Sequence, residues 1–192
     1  MTNPPHQENM HMSQLPAPGT YAVDTSHSTV GFSVRHLMAA KVRGSFTEFE
    51  GSVEIGETPE ASTVTAVVQA GSITTNNEMR DGHLKSPDFL DLENHPTLTL
   101  VSTSISPKGD DHYAMVTDLT VRGITKQVTF DLEYHGSGPG MAPGVTVAGF
   151  EATAEIDRRD FNVNFEGTLE NGSLVVSHKV VLSFDIEVAH QA

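Results

Sequence analysis

Apolar and polar residues alternate one by one along most of the chain from Tyr21 onward. Val30, Phe32 and Val34 alternate with Thr29, Gly31, Ser33 and Arg35, and Val64, Ala66 and Val68 with Thr63, Thr65 and Val67. Tyr113, Met115, Thr117, Leu119 and Val121 share one face, as do Val128, Phe130, Leu132 and Tyr134. The last run sets Val180, Leu182, Phe184, Ile186 and Val188 against Lys179, Ser183, Asp185 and Glu187. A period of two is that of a strand with one face buried. Asn171-Gly172 is the pair favoured by a type I′ hairpin, and Gly109-Asp110-Asp111 and Arg122-Gly123 also separate alternating runs. Residues 136–144, GSGPGMAPG, read as a mobile loop. The pattern predicts eight or nine short antiparallel strands joined in sequence, hence an all-β barrel of about eight strands, wide enough for one small ligand.

One stretch breaks the alternation. Asn76 and Asn77 predict a capped short helix through Glu78 to Asp81, and Ser86-Pro87-Asp88 carries a second start signal. A helical insert is therefore expected around residues 76–92, with Met79, Leu84, Phe89 and Leu90 turned inward, and His95-Pro96 forces an extended exit. Arg80 and Asp81 lie side by side in sequence, which on a helix points them apart, so anchoring of the insert fits them better than a catalytic dyad.

Composition narrows the function classes. Acidic residues outnumber basic ones 25 to 11, for a formal charge of -14, a field that repels phosphate backbones and excludes nucleic acid as a natural partner. Cysteine is absent, which removes disulfides, thiol nucleophiles and thiolate metal sites. Residues 1–19, rich in proline and polar side chains, read as a disordered tail before one domain spanning 20–192. They show neither a secretory signal nor a membrane anchor, so the expectation is a cytoplasmic protein without stable membrane insertion.

Candidate chemistry is sparse. The stretch Asp24 to Ser28, DTSHS, contains acid, hydroxyl and imidazole, yet such close neighbours before a strand usually serve a turn. Asp157 and Asp160 flank Arg158 and Arg159, which suggests a charge-paired turn. No serine elbow, phosphate loop, HExxH or dinucleotide fingerprint occurs. A divalent-metal site from His27, His36 and His83, or a small hydrolase or isomerase using His27, Asp81, His36 or His83, stays open as an alternative to a binding protein.

Four segments together, YAVDTSHSTVGFSVRHL, VRGSFTEFEGSVEI, RDGHLKSPDFLDLENHPTLTL and TDLTVRGITKQVTFDL, resemble the YceI-like, polyisoprenoid-binding family in order and spacing. The resemblance runs from Tyr21 to the C-terminus. Tyr21 stands where tryptophan is common, and Asn162 where the family usually places glycine. The resemblance implies a lipocalin-like barrel, a homodimer, and an interior holding a polyisoprenoid, isoprenoid quinone or fatty-acid derivative, without catalysis or cofactor. Candidate wall residues are Phe32, Val34, Phe46, Leu84, Phe89, Leu98, Leu100, Leu119 and Phe184. Arg35, His36, Arg80, His83 and Arg122 are candidates to meet a polar head group at the mouth.

Overall fold

The computed structural model describes residues 15–191 apart from Ser173, with the side chain of Gln191 left aside. The order is β1 (Gly19–Val23), β2 (Thr29–His36), β3 (Ala40–Phe46), β4 (Phe49–Ile55), β5 (Thr63–Gln69), β6 (Ile73–Thr74), α1 (Glu78–Lys85), β7 (Thr97–Gly109), β8 (His112–Val121), β9 (Ile124–Pro139), β10 (Val145–Asp157) and β11 (Val176–Gln191). These segments build eight strands of wall. β1 and β2 both pair antiparallel with β11, so they form one long strand interrupted by the Asp24–Ser28 turn. β3 and β4 run on from one another beside them, as do β5 and β6, with breaks at Thr47-Glu48 and at Ala70–Ser72. The breaks lie side by side: the Thr47 amide donates to the Ser72 carbonyl at 3.3 Å and the Gln69 amide to the Glu48 carbonyl at 2.9 Å.

Pairing of Ala22 with Ala189 and Val23 with Val188 joins the first strand to the last and closes the barrel. Closure removes the free edges of that sheet and satisfies its main-chain donors and acceptors. It is incomplete at one end. β5 pairs with β7 only up to Gln69 and Thr97, and the two-residue β6 pairs with β3 but not with β7. The insert between Thr75 and Pro96 sits at that gap, α1 packing on β6.

Antiparallel order sorts the connections by end. The β2–β3 turn, the insert, the β8–β9 turn and the 158–175 connection share the end with the gap, called the upper end below. The connections at 56–62, 110–111 and 140–144 share the lower end. There the residues before β1 belong to the folded body: Leu15 packs on the core, Pro16 is buried, and the Ala17 carbonyl accepts from the Tyr21 hydroxyl at 3.0 Å. The tail expectation for residues 1–14 lies outside the described residues.

Several turns differ from the sequence expectation. β9 runs through Gly136, Ser137, Gly138 and Pro139, paired with β10 through a bulge at Gly149/Phe150, so only residues 140–144 of the expected loop remain a turn. Asn171-Gly172 does not form a type I′ hairpin. The Gly172 amide donates to the Leu169 carbonyl at 2.9 Å and only Gly172 has positive φ, which puts Asn171 at the third position of an ordinary β-turn. Arg122 and Gly123 do form the tight β8–β9 turn, with φ of 50° and 71°. A Cβ on Gly123 would stand 2.8 Å from the His95 ring, so glycine serves both conformation and close approach. Asn162 has φ 57°, a left-handed position that asparagine tolerates in place of glycine.

Inward residues follow the predicted alternation. Tyr21, Phe130, Thr117, Val188 and Phe161 are the largest fully buried side chains, and Phe130 meets Phe184 with ring centroids 5.2 Å apart. Among the described residues no helix is long and apolar enough to cross a membrane. A Phe130→Ala variant is expected to lose about 3–5 kcal/mol of unfolding free energy. Gly123→Ala is expected to lose at least 1 kcal/mol through strain at a left-handed position. Urea unfolding measures both, and a neutral Gly123→Ala would contradict the steric argument.

Candidate functional site

Small residues take inward positions, Ala66 on β5 and Ala152 on β10, and the barrel is not filled. A cavity of about 170 Å³ runs between the two halves of the wall. Phe32, Phe46, Leu98, Leu100, Leu119 and Phe184 line it, as expected from alternation. Leu15, Val30, Tyr113, Met115, Val121 and Ile156 line it as well. Tyr113, Met115 and Val121 share the face of Leu119, so strict period two contained that signal; Leu15 had none, lying in the presumed tail. The titratable residues on the lining are Tyr113, whose phenol burial and nearby Asp111 keep protonated, and the exposed Glu50.

Val34 does not line the cavity. It pairs with Val42 on the same face, one rung above Phe32 and Gly44. Leu84 and Phe89 also lie outside the lining and belong to the insert. Leu84 and Leu90 pack on the core, Phe89 is buried, and Met79, expected inward, is 88% exposed. α1 is capped by Asn77, whose side chain accepts from the Arg80 amide at 3.0 Å. The second start signal gives only a turn, in which the Phe89 and Asp91 amides both donate to the Ser86 carbonyl. A helix would need Ser86 to Asp91 to continue, but Asp91 is left-handed, φ 52°, which turns the chain back toward β7.

The insert's polar residues are spent on holding it. Arg80 Nε donates to Thr75 Oγ1 at 2.6 Å and Nη2 to the Thr75 carbonyl at 3.0 Å. Asp81 accepts from the Thr75 amide and from the hydroxyls of Thr75 and Thr74. Partial burial opposes ionisation of Asp81, but these donors together outweigh it and lower its pKa. His83 bonds Asp88 through Nε2 at 2.9 Å and stands edge-on to Phe89 and Phe165, at 5.0 and 5.1 Å. Arg122 Nη1 donates to the carbonyls of Phe89 at 3.0 Å and Asn162 at 2.9 Å, tying the insert to the turn after β10. Three of the five residues expected at a polar mouth, Arg80, His83 and Arg122, therefore hold the insert in place. Arg35 and His36 stand at the end of β2, Arg35 exposed and His36 half-buried.

Arg158 was missed. Instead of forming a surface pair it is buried and donates to the carbonyls of Ser177, Val163 and Val176, fastening the 158–175 connection. Burial lowers its pKa, opposed by Asp157 and Glu166. Arg159 makes the expected pair with Asp157, at 2.5 Å. Single-letter sequence does not tell a buried arginine from an exposed one.

The DTSHS turn gathers chemistry without a relay. Asp24 accepts from the Ser26 hydroxyl at 2.5 Å and faces His27 Nδ1 at 3.0 Å, and the same Nδ1 lies 3.3 Å from Ser26 and 3.7 Å from Glu187. A triad histidine uses one ring nitrogen for the acid and the other for the nucleophile; here Nδ1 faces both, and the Ser26 hydroxyl donates its hydrogen bond to Asp24 instead of to the imidazole. Asp24, His27 and Glu187 place one ligand atom each within 4.8 Å of one another, a spacing open to a divalent cation. His36 lies at the other end of β2, roughly 25–30 Å from His27 at strand rise, and His83 lies on the insert, so the three histidines do not meet.

The geometry is that of a closed β-barrel holding an apolar cavity beneath a pinned helical insert. The YceI-like domain model matches residues 21–188, and the chain belongs to that family. A UPF0312 protein of Staphylococcus aureus (strain MSSA476) is 38% identical over 162 residues, covering 83% of this chain and 91% of that relative. Among solved structures, BcnA of Burkholderia cenocepacia superposes with TM-score 0.73 at 21% identity over 86% of this chain and 98% of its own. The YCEI protein of Campylobacter jejuni gives 0.71 at 24% identity, over 88% and 96%. A polyisoprenoid-binding domain from Saccharophagus degradans gives 0.64 at 15% identity, over 88% and 97%.

Two predictions follow from the anchoring contacts. Arg122→Ala removes the bond to the Phe89 carbonyl of the insert and the bond to Asn162 beside it, and is expected to cost about 1–3 kcal/mol, with amide exchange of residues 86–95 rising ahead of the barrel strands. The bond to Asp24, then the charges of Asp24 and Glu187, raise the pKa of His27; bonds from Ser26 and then His27 hold Asp24 well below the usual carboxylate range. The raised histidine contributes stability below its unfolded value of about 6.5 and loses it as pH rises through its folded pKa. The depressed aspartate contributes above its unfolded value of about 3.9. His27→Gln should therefore lower the urea midpoint most between about pH 5 and 6 and least above about pH 9, whereas a pH-independent effect would separate the turn's stability from this pair.

Proposed function

We propose that the protein is a non-catalytic carrier or store of a long-chain apolar ligand, a polyisoprenoid, isoprenoid quinone or fatty-acid derivative. The observation that carries the reading is the apolar cavity. Its lining offers carbon on almost every side and no cluster of acid, base and nucleophile. A cavity of comparable size lined by Leu, Ile and Phe stays dry and takes apolar guests. Family membership and the Saccharophagus neighbour described as polyisoprenoid-binding support the same reading.

Burial supplies the affinity. Each methylene contributes about 0.8 kcal/mol, so roughly ten give about 8 kcal/mol gross, micromolar class before ordering costs. Such binding grades chain length loosely, because successive methylenes contribute alike. At about 170 Å³ the cavity holds part of a chain, and the remainder has to leave through an end or displace side chains.

Mass spectrometry of an organic extract of the purified protein, with titration of a fluorescent fatty acid, tests the reading. A co-purifying apolar chain and saturable one-to-one uptake are expected. Ala152→Leu and Ala66→Phe fill the lining and should weaken uptake at least tenfold while leaving the fold intact by circular dichroism. Absence of both extractable lipid and uptake would overturn the proposal.

A further inference from the structure

The β2–β3 hairpin carries features that neither folding nor the cavity requires. Its tip, His36-Leu37-Met38-Ala39, is closed by the Ala39 amide donating to the His36 carbonyl at 3.1 Å. Both central residues are left-handed, Leu37 with φ 51° and Met38 with φ 57°. Such a turn favours Asn-Gly, and large apolar residues there are strained. The strain aims two of the few exposed large hydrophobic side chains outward, Leu37 at 40% and Met38 at 65% exposure.

Charge sets the same hairpin apart. From Thr29 to Phe46 the chain has no acidic residue but contains Arg35, Lys41 and Arg43, within a protein of formal charge -14. The three share the outer face: Arg35 stands directly opposite Lys41, and Arg43 opposite Ser33. Like charges facing each other across a ladder destabilise it. None of the three has an ion pair among the described residues, where Lys108, Lys179 and Arg159 are the lysines and arginines that do. The asymmetry extends over the whole barrel. Of the eleven lysines and arginines only Lys108 lies at the lower end, and the other ten lie in or within four residues of an upper-end connection. Acids lie at both ends, Glu54, Glu57, Glu60, Asp110 and Asp111 at the lower and Glu78, Asp88, Glu93, Asp160, Glu166 and Glu170 among those at the upper, so the lower end is net acidic because Lys108 is the one cation beside its acids.

The hairpin's other face leads inward. His36 and Ala40 form the first rung on this face, Val34 and Val42 the next, and Phe32 and Phe46, further down, line the cavity. An apolar track therefore runs from the exposed tip to the cavity wall.

From the exposed strained tip, the unpaired cations behind it and the apolar track below it, we propose that the β2–β3 hairpin docks the upper end of the barrel on anionic lipid bilayers. Leu37 and Met38 enter the interface, Arg35, Lys41 and Arg43 meet the lipid phosphates, and the acidic lower end is repelled from the surface, which orients the barrel. The role of this contact, loading and unloading of an apolar chain, rests on the function proposed above; the docking itself does not.

Flotation with phosphatidylcholine vesicles, with and without phosphatidylglycerol, tests the proposal on the full chain. Binding is expected only to vesicles containing phosphatidylglycerol and should weaken with added salt. Arg35→Ser, Lys41→Ser and Arg43→Ser should each lower partitioning about fivefold, together roughly 100-fold. The double variant Leu37→Asn with Met38→Gly suits a turn with positive φ at both positions, so it should raise Tm while lowering vesicle binding about tenfold or more. Uptake of the fluorescent fatty acid from solution should be unchanged in both sets, so a failed cavity and a failed docking surface give different results. No flotation of wild type, flotation unchanged in both variants, or a tip that instead mediates self-association, seen as a change in sedimentation with the double variant, would overturn the proposal.

Discussion

Pairing between the third and fourth strands of the wall stops at Gln69 and Thr97, and much of the upper end depends on where it stops. Below that point the ring of main-chain bonds is complete, closed by Ala22–Ala189 and Val23–Val188. Above it, β6 pairs with β3 alone, and among the described residues no strand fills the space on its other side. Unpaired strand edges and buried polar backbone are costly, so some other element has to stand there. The helical insert does, and it needs its own fastenings because it has no ladder. Asp81 and Arg80 hold its start to Thr74 and Thr75, and Arg122 holds its middle to the neighbouring turn. The charges that drew attention in the sequence are the substitutes for the missing strand pairing.

The cavity follows from a second constraint, the size of inward side chains. Tyr21, Phe130, Tyr134 and Val188 fill part of the interior closely, and the Tyr134 ring meets that of Phe150, on the cavity wall, at 5.2 Å. Elsewhere Ala66 and Ala152 leave room on the lining, and an eight-stranded barrel can enclose a small ligand. Gly44 adds no such room: a Cβ there would stand 2.4 Å from the Phe32 ring, which takes the space beside it and lines the cavity. The buried core spans both parts, with Leu100, Met115 and Leu119 among its residues on the cavity wall. Neighbours at 15–24% identity retain the same barrel, since closure depends on the backbone and alternation rather than on particular side chains.

Several polar residues have structural employment. Arg158 serves three carbonyls from a buried position, and His83 is wedged between Phe89 and Phe165 while bonded to Asp88. The Asp24, Ser26 and His27 group satisfies the turn that interrupts the first wall strand. Among the described residues Lys85 and Lys126 also lack such employment but stand singly, whereas Arg35, Lys41 and Arg43 share one face of the β2–β3 hairpin, and that grouping distinguishes it.

Alternation alone determined the strands, the inward faces and the all-β barrel, because a period of two is a local property and burial of one face enforces it. It also placed Phe32, Phe46, Leu98, Leu100, Leu119 and Phe184 on the cavity wall. It failed where distant segments decide the outcome. Val34 and Phe32 share a face and differ only in height, Leu84 and Phe89 face the core from an insert whose docking is tertiary, and Leu15 joins the wall from a segment that reads as tail. Whether Arg80, Arg122 and Arg158 meet a ligand or a carbonyl was equally undecidable, since a guanidinium binds whichever acceptor the folded chain brings within reach. Sequence sets what each residue can do; the closure of the barrel, and the gap it leaves between β6 and β7, decides which partner each one finds.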